Sequence, residues 1–261
     1  MALTGRDKLV AIACASSLAI TAKVILGELA GTRPAPAAAL LPTRSIRLPD
    51  GLSCEVYVPT GLDRSRPHPL VFGFDPGGNG LALLPAWKRA CDRFQWILVA
   101  SNNFRNGPWS DRDAALQLET LRLAEHDYPV DPARIYATGF SGGAMHAHDI
   151  VGDHPEIFRG LVANTGMMPY HWPGNDPLDR AHYPRAKLAV FLASPADFRY
   201  REMQADRAAL EGLGWKVRWI EFPGGHRYAP AERYVEAAAW LAAQSAAPSP
   251  QAAGTVARPR R

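Results

Sequence analysis

Cysteine is scarce in this chain, with three in 261 residues. One of them, Cys14, lies close to the N-terminus, which leaves Cys54 and Cys91 for the rest of the chain. These two allow at most one disulfide, and only if their Cα atoms lie within about 7 Å in an oxidising compartment. Two buried thiols are an equally simple arrangement. The sequence therefore leaves open whether the pair is oxidised.

The net charge of the chain is also small. Lys and Arg number 29 against 25 Asp and Glu, for a formal net charge of +4. Three of the arginines lie in the C-terminal segment 245–261, whose Ala, Pro and Ser content is typical of an unfolded tail. The balance gives no support to nucleic-acid binding. With 47% apolar and 21% charged residues, the chain has the composition of a globular protein with one large domain.

No long apolar segment of the kind that spans a membrane stands out. The run Leu9 to Ala22 meets charged residues before it reaches the roughly 20 residues that a spanning helix needs. Arg6 and Lys8 precede the run and small residues follow it, which is the order found in secretory signals. We predict a signal peptide or N-terminal anchor at residues 1–30 and an Ala/Pro-rich linker at 31–42. Export favours a secreted or periplasmic protein, with membrane contact only if the segment is uncleaved.

Residues 43–244 alternate between strand and helix patterns. Two short β-type segments come first, and six short, mostly apolar runs follow, as expected for strands buried on both faces. Helical segments lie between them, the clearest at Ser110–Tyr128 and Ala231–Gln244. The alternation predicts a mainly parallel central sheet flanked by helices on both faces, with an active site at the carboxyl ends of the strands. The predicted strands are Ser45–Leu48, Cys54–Val58, Leu70–Phe74, Trp96–Ser101, Ile135–Gly139, Leu161–Asn164, Leu188–Ala193 and Val217–Phe222.

The most informative motif is G-x-S-x-G, which occurs at residues 139–143 as GFSGG. A predicted strand leads into it and a helix-compatible stretch follows. This context is required of a nucleophile elbow, because side chains at the flanking positions would collide with the neighbouring strand and helix. We predict Ser141 as the nucleophile and the amide of Gly142 as an oxyanion donor.

A second glycine-rich segment, Asp75 to Gly80, follows the third predicted strand. Glycines let backbone N–H groups turn toward a nucleophile, where they stabilise the oxyanion of a tetrahedral intermediate. Loss of one such donor typically costs about 2.7–4 kcal/mol of transition-state stabilisation. The amide of Gly77 or Gly78 is the predicted second donor, and a plain glycine turn is the alternative.

A serine nucleophile needs a histidine base and a carboxylate that orients the imidazole. Where a nucleophile elbow lies on a sheet of this type, the acid follows the serine and the histidine comes last. This order selects Asp197, after the seventh predicted strand, and His226, after the eighth. Asp176 and Asp179 are the alternatives for the acid, whereas Asp206 is expected on a solvated helix face.

These motifs resemble those of the secreted serine esterases grouped with polyhydroxybutyrate depolymerases and feruloyl esterases, within the α/β-hydrolase superfamily. The resemblance spans about Leu48 to Leu241 and includes the VDPARI segment before GFSGG and the PGGH segment that ends at His226. It implies the α/β-hydrolase fold, carboxylic ester hydrolysis through an acyl-serine, and no metal or organic cofactor. Many relatives carry a histidine at the start of the oxyanion loop, where this chain has Asp75.

The segment between Met167 and Lys187 is too short for a large helical cap, so little or no cap domain is expected over the site. Tyr170, His171 and Trp172 in this segment are predicted to contact the substrate, a small-molecule or polymeric ester. Ordinary loop packing is their alternative role.

Two other functions compete with an esterase. A peptidase of the prolyl-oligopeptidase type uses the same triad, but no propeller domain accompanies it here. A noncatalytic binding protein could retain the fold alone, but it would be free to lose the three triad residues that this chain has.

Overall fold

The computed structural model describes residues 43–47, 51–106, 111–169 and 183–246. The predicted signal peptide and linker lie outside these ranges, as do residues 247–261 of the predicted tail. Tyr170, His171 and Trp172 also lie outside them, together with Asp176 and Asp179.

Eight strands form a single sheet in the order β1-β2-β4-β3-β5-β6-β7-β8. β1 pairs with β2 and β2 with β4 in antiparallel orientation, and the other pairs are parallel. This confirms the predicted mainly parallel sheet. The strands are β1 (Thr43–Arg47), β2 (Ser53–Tyr57), β3 (His68–Phe74), β4 (Ile97–Ser101), β5 (Val130–Phe140), β6 (Gly160–Asn164), β7 (Leu188–Ala193) and β8 (Lys216–Glu221).

The central strands are buried along their whole length. Every residue of β3, β4, β6 and β7 is buried, because helices cover both faces of a parallel sheet and continuous apolar runs supply the side chains for both. The edge strand β8 differs, since Lys216, Arg218 and Glu221 leave it partly exposed. Charged side chains on an edge strand discourage pairing with a second molecule.

Five helices flank the sheet within the described ranges, and a short 3₁₀ turn, Gly80–Leu83, precedes the first of them. The first helix, Leu84–Phe94, is not among the helices that the sequence pattern predicts most clearly. It has proline in its first turn and stops at Gln95, whose left-handed φ of 58° ends it. The helices are α1 (Leu84–Phe94), α2 (Asp111–Asp127), α3 (Gly142–Asp153), α4 (Tyr200–Gly212) and α5 (Ala231–Ala246).

Side chains on the two sheet faces form separate packed layers. On one face Phe72 and its neighbours pack with apolar residues of α2, α3 and α4. On the other face the ring of Tyr136 stacks on Trp96 at 5.2 Å, and Trp87 of α1 meets Tyr234 of α5 at 5.2 Å. Because side chains alternate along a strand, this two-sided burial confirms the helix layers predicted on both faces.

Cys54 and Cys91 are both buried free thiols. Of the two arrangements that the sequence left open, the structure has the unpaired one. Burial raises the pKa of Cys54 to about 12 and also raises the pKa of Cys91. Neither thiol is therefore ionised in the folded protein at neutral pH. Separately, none of the helices in the described part of the chain combines the length and apolarity needed to cross a membrane.

Candidate active site

The predicted elbow is a strand–turn–helix unit. β5 ends at Phe140, Ser141 has φ 54° and ψ −121°, and α3 begins at Gly142. A Cβ atom at Gly139 would lie 2.1 Å from the backbone of Gly143, and one at Gly143 would lie 2.1 Å from the carbonyl oxygen of Phe74. Glycine is required at both positions because backbone atoms occupy that space. The strained turn leaves the serine hydroxyl at the carboxyl edge of the sheet.

Three side chains from distant parts of the chain meet at this edge. Nε2 of His226 lies 2.8 Å from Oγ of Ser141, and its Nδ1 lies 2.7 Å from Oδ2 of Asp197. The Asp197 side chain is fully buried and that of His226 is 14% exposed. A carboxylate at Nδ1 favours the tautomer in which Nδ1 carries the proton and Nε2 accepts one from serine. The structure thus brings together the three residues predicted as a triad.

The Asp197 carboxylate is itself held in place. Its Oδ1 accepts the backbone N–H of Arg199 at 2.7 Å, while Oδ2 faces His226. Asp197 follows β7, and β6 lies between β7 and β5 in the sheet. The carboxylate therefore has a fixed orientation before any substrate binds.

Asn164, the last residue of β6, joins the nucleophile turn to the histidine segment, and sequence reasoning missed it. Its carbonyl oxygen accepts the N–H of Ser141 at 3.0 Å. Its side-chain Oδ1 accepts the N–H of Ala229 at 2.8 Å and the hydroxyl of Tyr234 at 2.7 Å, and its Nδ2 donates to the carbonyl of Arg227 at 3.3 Å. The sequence signal that could have identified Asn164 is a polar residue at the end of an apolar strand, at the edge of the sheet where the site lies.

The loop after β3 is organised by Asp75. Its Oδ1 accepts the N–H of Gly77 at 2.9 Å and that of Asn79 at 3.3 Å, and its carbonyl oxygen accepts the N–H of Gly78 at 3.1 Å. Both predicted second donors therefore point at Asp75 in this structure. Gly142 differs, because the first N–H of a helix has no acceptor within that helix. The donor role of Gly77 or Gly78 stays a prediction.

Asp75 also reaches the segment that follows the histidine. Its Oδ2 accepts the hydroxyl of Tyr228 at 2.6 Å, and the tyrosine ring stacks on Phe140 at 4.3 Å. Burial and the neighbouring Asp75 charge raise the pKa of Tyr228. The hydroxyl therefore stays protonated and remains a donor. Asp75 thus supplies a carboxylate that links two loops of the site.

An exposed aromatic side chain borders the histidine. The ring of Phe198 is 4.6 Å from the ring of His226, and the residue is 55% exposed. The guanidinium of Arg199 lies 4.9 Å from the centre of the Phe198 ring. These two residues form an apolar and cationic rim beside the triad.

The structure contradicts the prediction that Asp206 lies on a solvated helix face. Asp206 is fully buried, and its Oδ2 accepts the backbone N–H of Met168 at 2.7 Å. The prediction of a solvated face was wrong because α4 turns this residue toward the chain that follows β6, where a carboxylate satisfies a buried N–H.

The residues that the structure describes contain no metal site, since no group of three His, Cys, Asp or Glu side chains is placed to hold an ion. His146 is buried between the rings of Phe74 and Phe104, at 4.4 and 4.6 Å. Burial lowers the pKa of His146 to about 3, so the imidazole is neutral. His148, also buried, lies against Tyr183 and Phe191.

Comparison with curated proteins finds feruloyl esterases. Feruloyl esterase C of Emericella nidulans is 30% identical over 149 residues, which are 52% of this chain and 54% of that protein. The probable feruloyl esterase C of Aspergillus flavus is 26% identical over 208 residues, which are 66% of this chain and 75% of that protein. The chain thus spans about half of the first relative and three quarters of the second. No protein-family profile matches it.

Solved structures give the same fold. A ferulic acid esterase superimposes with a TM-score of 0.61 at 15% identity, covering 76% of this chain and 96% of that one. Fluorophosphonate-binding serine hydrolase F of Staphylococcus aureus gives 0.61 at 12% identity, with the same coverage. The chain therefore has the α/β-hydrolase fold of the serine hydrolases. Among proteins with that fold, it resembles the feruloyl esterase group.

Proposed function

We propose that this protein is a serine hydrolase that cleaves carboxylic esters through an acyl-serine intermediate. The observation that carries the proposal is the pair of hydrogen bonds from Ser141 to His226 and from His226 to Asp197. An activated serine at the carboxyl edge of this sheet performs acyl transfer. The similarity to feruloyl esterases supports an ester rather than a peptide as the substrate.

In the first half-reaction, Oγ of Ser141 attacks the ester carbonyl carbon and its proton passes to Nε2 of His226. The carbonyl π electrons move onto oxygen, and the N–H of Gly142 stabilises that oxyanion. The intermediate collapses when the bond to the alcohol oxygen breaks and His226 donates its proton to that oxygen. Asp197 stabilises the transient imidazolium without taking the proton itself.

In the second half-reaction, water attacks the acyl-serine. His226 removes one proton from the water as the new C–O bond forms, and the oxyanion develops at the same place. Collapse breaks the bond to Oγ, and His226 returns the proton to Ser141. The products are a carboxylic acid and the regenerated enzyme.

For the substrate, we propose esters of aromatic acids as the first class to test, following the names of the relatives. Phe198 lies on the side of His226, and His226 protonates the departing alcohol, so we assign Phe198 to contact the alcohol. The predicted contacts of Tyr170, His171 and Trp172 remain part of the proposal.

The test is hydrolysis of p-nitrophenyl esters of increasing acyl length and of methyl ferulate. Wild type should turn over at least one of them, and Ser141→Ala should lower turnover by several orders of magnitude, as removal of a triad member does. Ser45→Ala on β1 is the matched control and should behave as wild type. Equal turnover by Ser141→Ala and wild type would contradict the proposal.

The same two proteins, wild type and Ser141→Ala, also distinguish an esterase from a noncatalytic binding protein and from a peptidase. A fluorophosphonate should label wild type and leave Ser141→Ala unlabelled, whereas a noncatalytic protein would show no difference. A peptidase would cleave peptide substrates faster than the matched esters, and we expect the opposite.

We also propose that the protein is exported with cleavage of residues 1–30. The supporting observation is the pair of basic residues before the apolar run. N-terminal sequencing of the protein from the producing cells should find a mature start near residue 31. An intact Met1 in the membrane fraction would favour the anchor instead.

A further inference from the structure

The structure differs most from the sequence prediction at the second oxyanion donor. Both predicted donors, the N–H groups of Gly77 and Gly78, already donate to Asp75. For Gly77 the acceptor is a carboxylate oxygen. An oxyanion that shared this N–H would face a second negative charge across the same hydrogen, which is unfavourable where water is excluded. The geometry therefore favours a donor outside this loop.

The side-chain amide of Asn106 lies beside the nucleophile turn. A Cβ atom built on Gly142 would be 1.8 Å from Oδ1 of Asn106 and 3.1 Å from its Nδ2. The carboxamide thus occupies the space that a side chain at position 142 would take. Gly142 follows Ser141 directly and carries the first predicted donor, so the Asn106 amide lies beside the residue on which the proposed oxyanion site is built.

The segment that carries Asn106 is held against the loop after β3. The N–H of Asn106 donates to the carbonyl of Pro76 at 3.0 Å. Phe104, two residues earlier, is buried, and its carbonyl oxygen would be 2.9 Å from a Cβ on Gly78. The Asn106 residue itself is exposed. The hydrogen bond to Pro76 holds the backbone of Asn106 in place, and the exposed amide is accessible to a bound substrate.

We propose that the side-chain amide of Asn106 is the second oxyanion donor, and therefore a catalytic residue, alongside the N–H of Gly142. This inference rests on the proposed ester hydrolysis. Oδ1 is the atom nearer to Gly142 in the structure, and a half-turn about the Cβ–Cγ bond exchanges it with Nδ2, which carries two donor hydrogens. A negatively charged oxygen beside the amide selects the orientation with Nδ2 toward it.

The experiment compares Asn106→Ala and Asn106→Asp with wild type. Asn106→Ala should lower kcat by about 10²–10³ with little change in KM, because the donor acts on charge that exists only in the transition state. Asn106→Asp keeps the size but replaces the donor by an anionic oxygen, so its kcat should be at least as low. Asn103→Ala is the matched control, because its amide bonds to the backbone of Ser53, and it should retain wild-type kcat.

A second readout does not depend on the choice of ester. A fluorophosphonate places a phosphonyl oxygen where the oxyanion develops, so the labelling rate of Ser141 should fall in both Asn106 variants and stay unchanged in Asn103→Ala. If wild type is labelled but cleaves no ester, the proposed ester hydrolysis is contradicted. The labelling rates of the variants would still test whether Asn106 is an oxyanion donor. The inference would be overturned if kcat and labelling rate of both Asn106 variants stayed within about threefold of wild type, a difference of less than 1 kcal/mol. The donor role would then return to Gly77 or Gly78.

Discussion

The backbone carbonyl of Asn164 accepts the N–H of Ser141 at 3.0 Å, while the Asn164 side chain holds the segment after His226. One buried residue thus sets the position of both the nucleophile and the base. The distance between Ser141 and His226 depends on β6, although neither residue belongs to that strand. The link makes Asn164 a positioning residue for the proposed reaction.

Asn164→Ala should lower both stability and turnover. It leaves the buried hydroxyl of Tyr234 and the N–H of Ala229 without their acceptor, and each unsatisfied buried group costs about 1–3 kcal/mol. We expect a loss of about 2–6 kcal/mol in the free energy of unfolding, measured with urea, and a lower kcat for the folded fraction. Tyr234→Phe removes only the hydroxyl and should cost about 1 kcal/mol with kcat unchanged. A wild-type kcat in folded Asn164→Ala would refute the positioning role.

Tyr228→Phe should lower kcat. The change removes the hydrogen bond to Asp75 and keeps the stacking on Phe140, so it releases the link between the two loops without a cavity. We expect a loss of about 1.5–3 kcal/mol in stability, typical of a bond to a charged group, and a decrease of up to about tenfold in kcat, equivalent to roughly 1.4 kcal/mol. Steady-state kinetics and urea unfolding measure the two effects.

A matched control for Tyr228→Phe exists at the other edge of the sheet. The hydroxyl of Tyr57 also donates to a carboxylate, that of Asp92. Tyr57 pairs with Leu98 near the amino end of β4, away from the carboxyl edge where the site lies. Tyr57→Phe should therefore lose stability and keep kcat. If both variants lose kcat equally, the link from Asp75 to Tyr228 has no special role in the reaction.

His146 should make the protein less stable in acid. Its pKa in the folded protein is about 3, because of burial, whereas an unfolded histidine titrates near 6.5. Between these values the unfolded chain binds a proton that the folded chain does not, so stability falls as pH decreases from about 6.5 toward 3. His146→Phe removes this contribution. Its stability relative to wild type should rise by about 2 kcal/mol between pH 7 and pH 4.5, measured by urea unfolding at both values, and a constant difference would contradict the assignment.

The thiols of Cys54 and Cys91 should not react in the folded protein. Both are buried, and their raised pKa values leave almost no thiolate at neutral pH. Alkylation followed by peptide mapping should modify neither in buffer and both in denaturant. Because no disulfide joins them, a reductant should leave the Tm unchanged, and a lower Tm would indicate that the pair oxidises.

Several features were predictable because their causes are local. The glycines around Ser141 are needed wherever a strand turns sharply into a helix, so the motif and its setting appear together in the chain. Strand order along the chain placed Asp197 and His226 at the same edge as Ser141, and the structure brings the three together. Continuous apolar runs marked the buried strands because helices cover both faces of the sheet.

Other features depend on residues that are far apart in sequence. Asp75 and Tyr228 are 153 positions apart, and neither residue type indicates the other as its partner. Asp206 looked like a surface carboxylate because helix periodicity shows which face a residue lies on, not which backbone N–H lies opposite. Local patterns in the chain were enough to predict a mainly parallel sheet, the turn at Ser141 and the order of the reactive residues. The donors that are already engaged, and the amide that lies beside Gly142, depend on the fold, because a hydrogen bond is satisfied by whichever group the fold brings within reach.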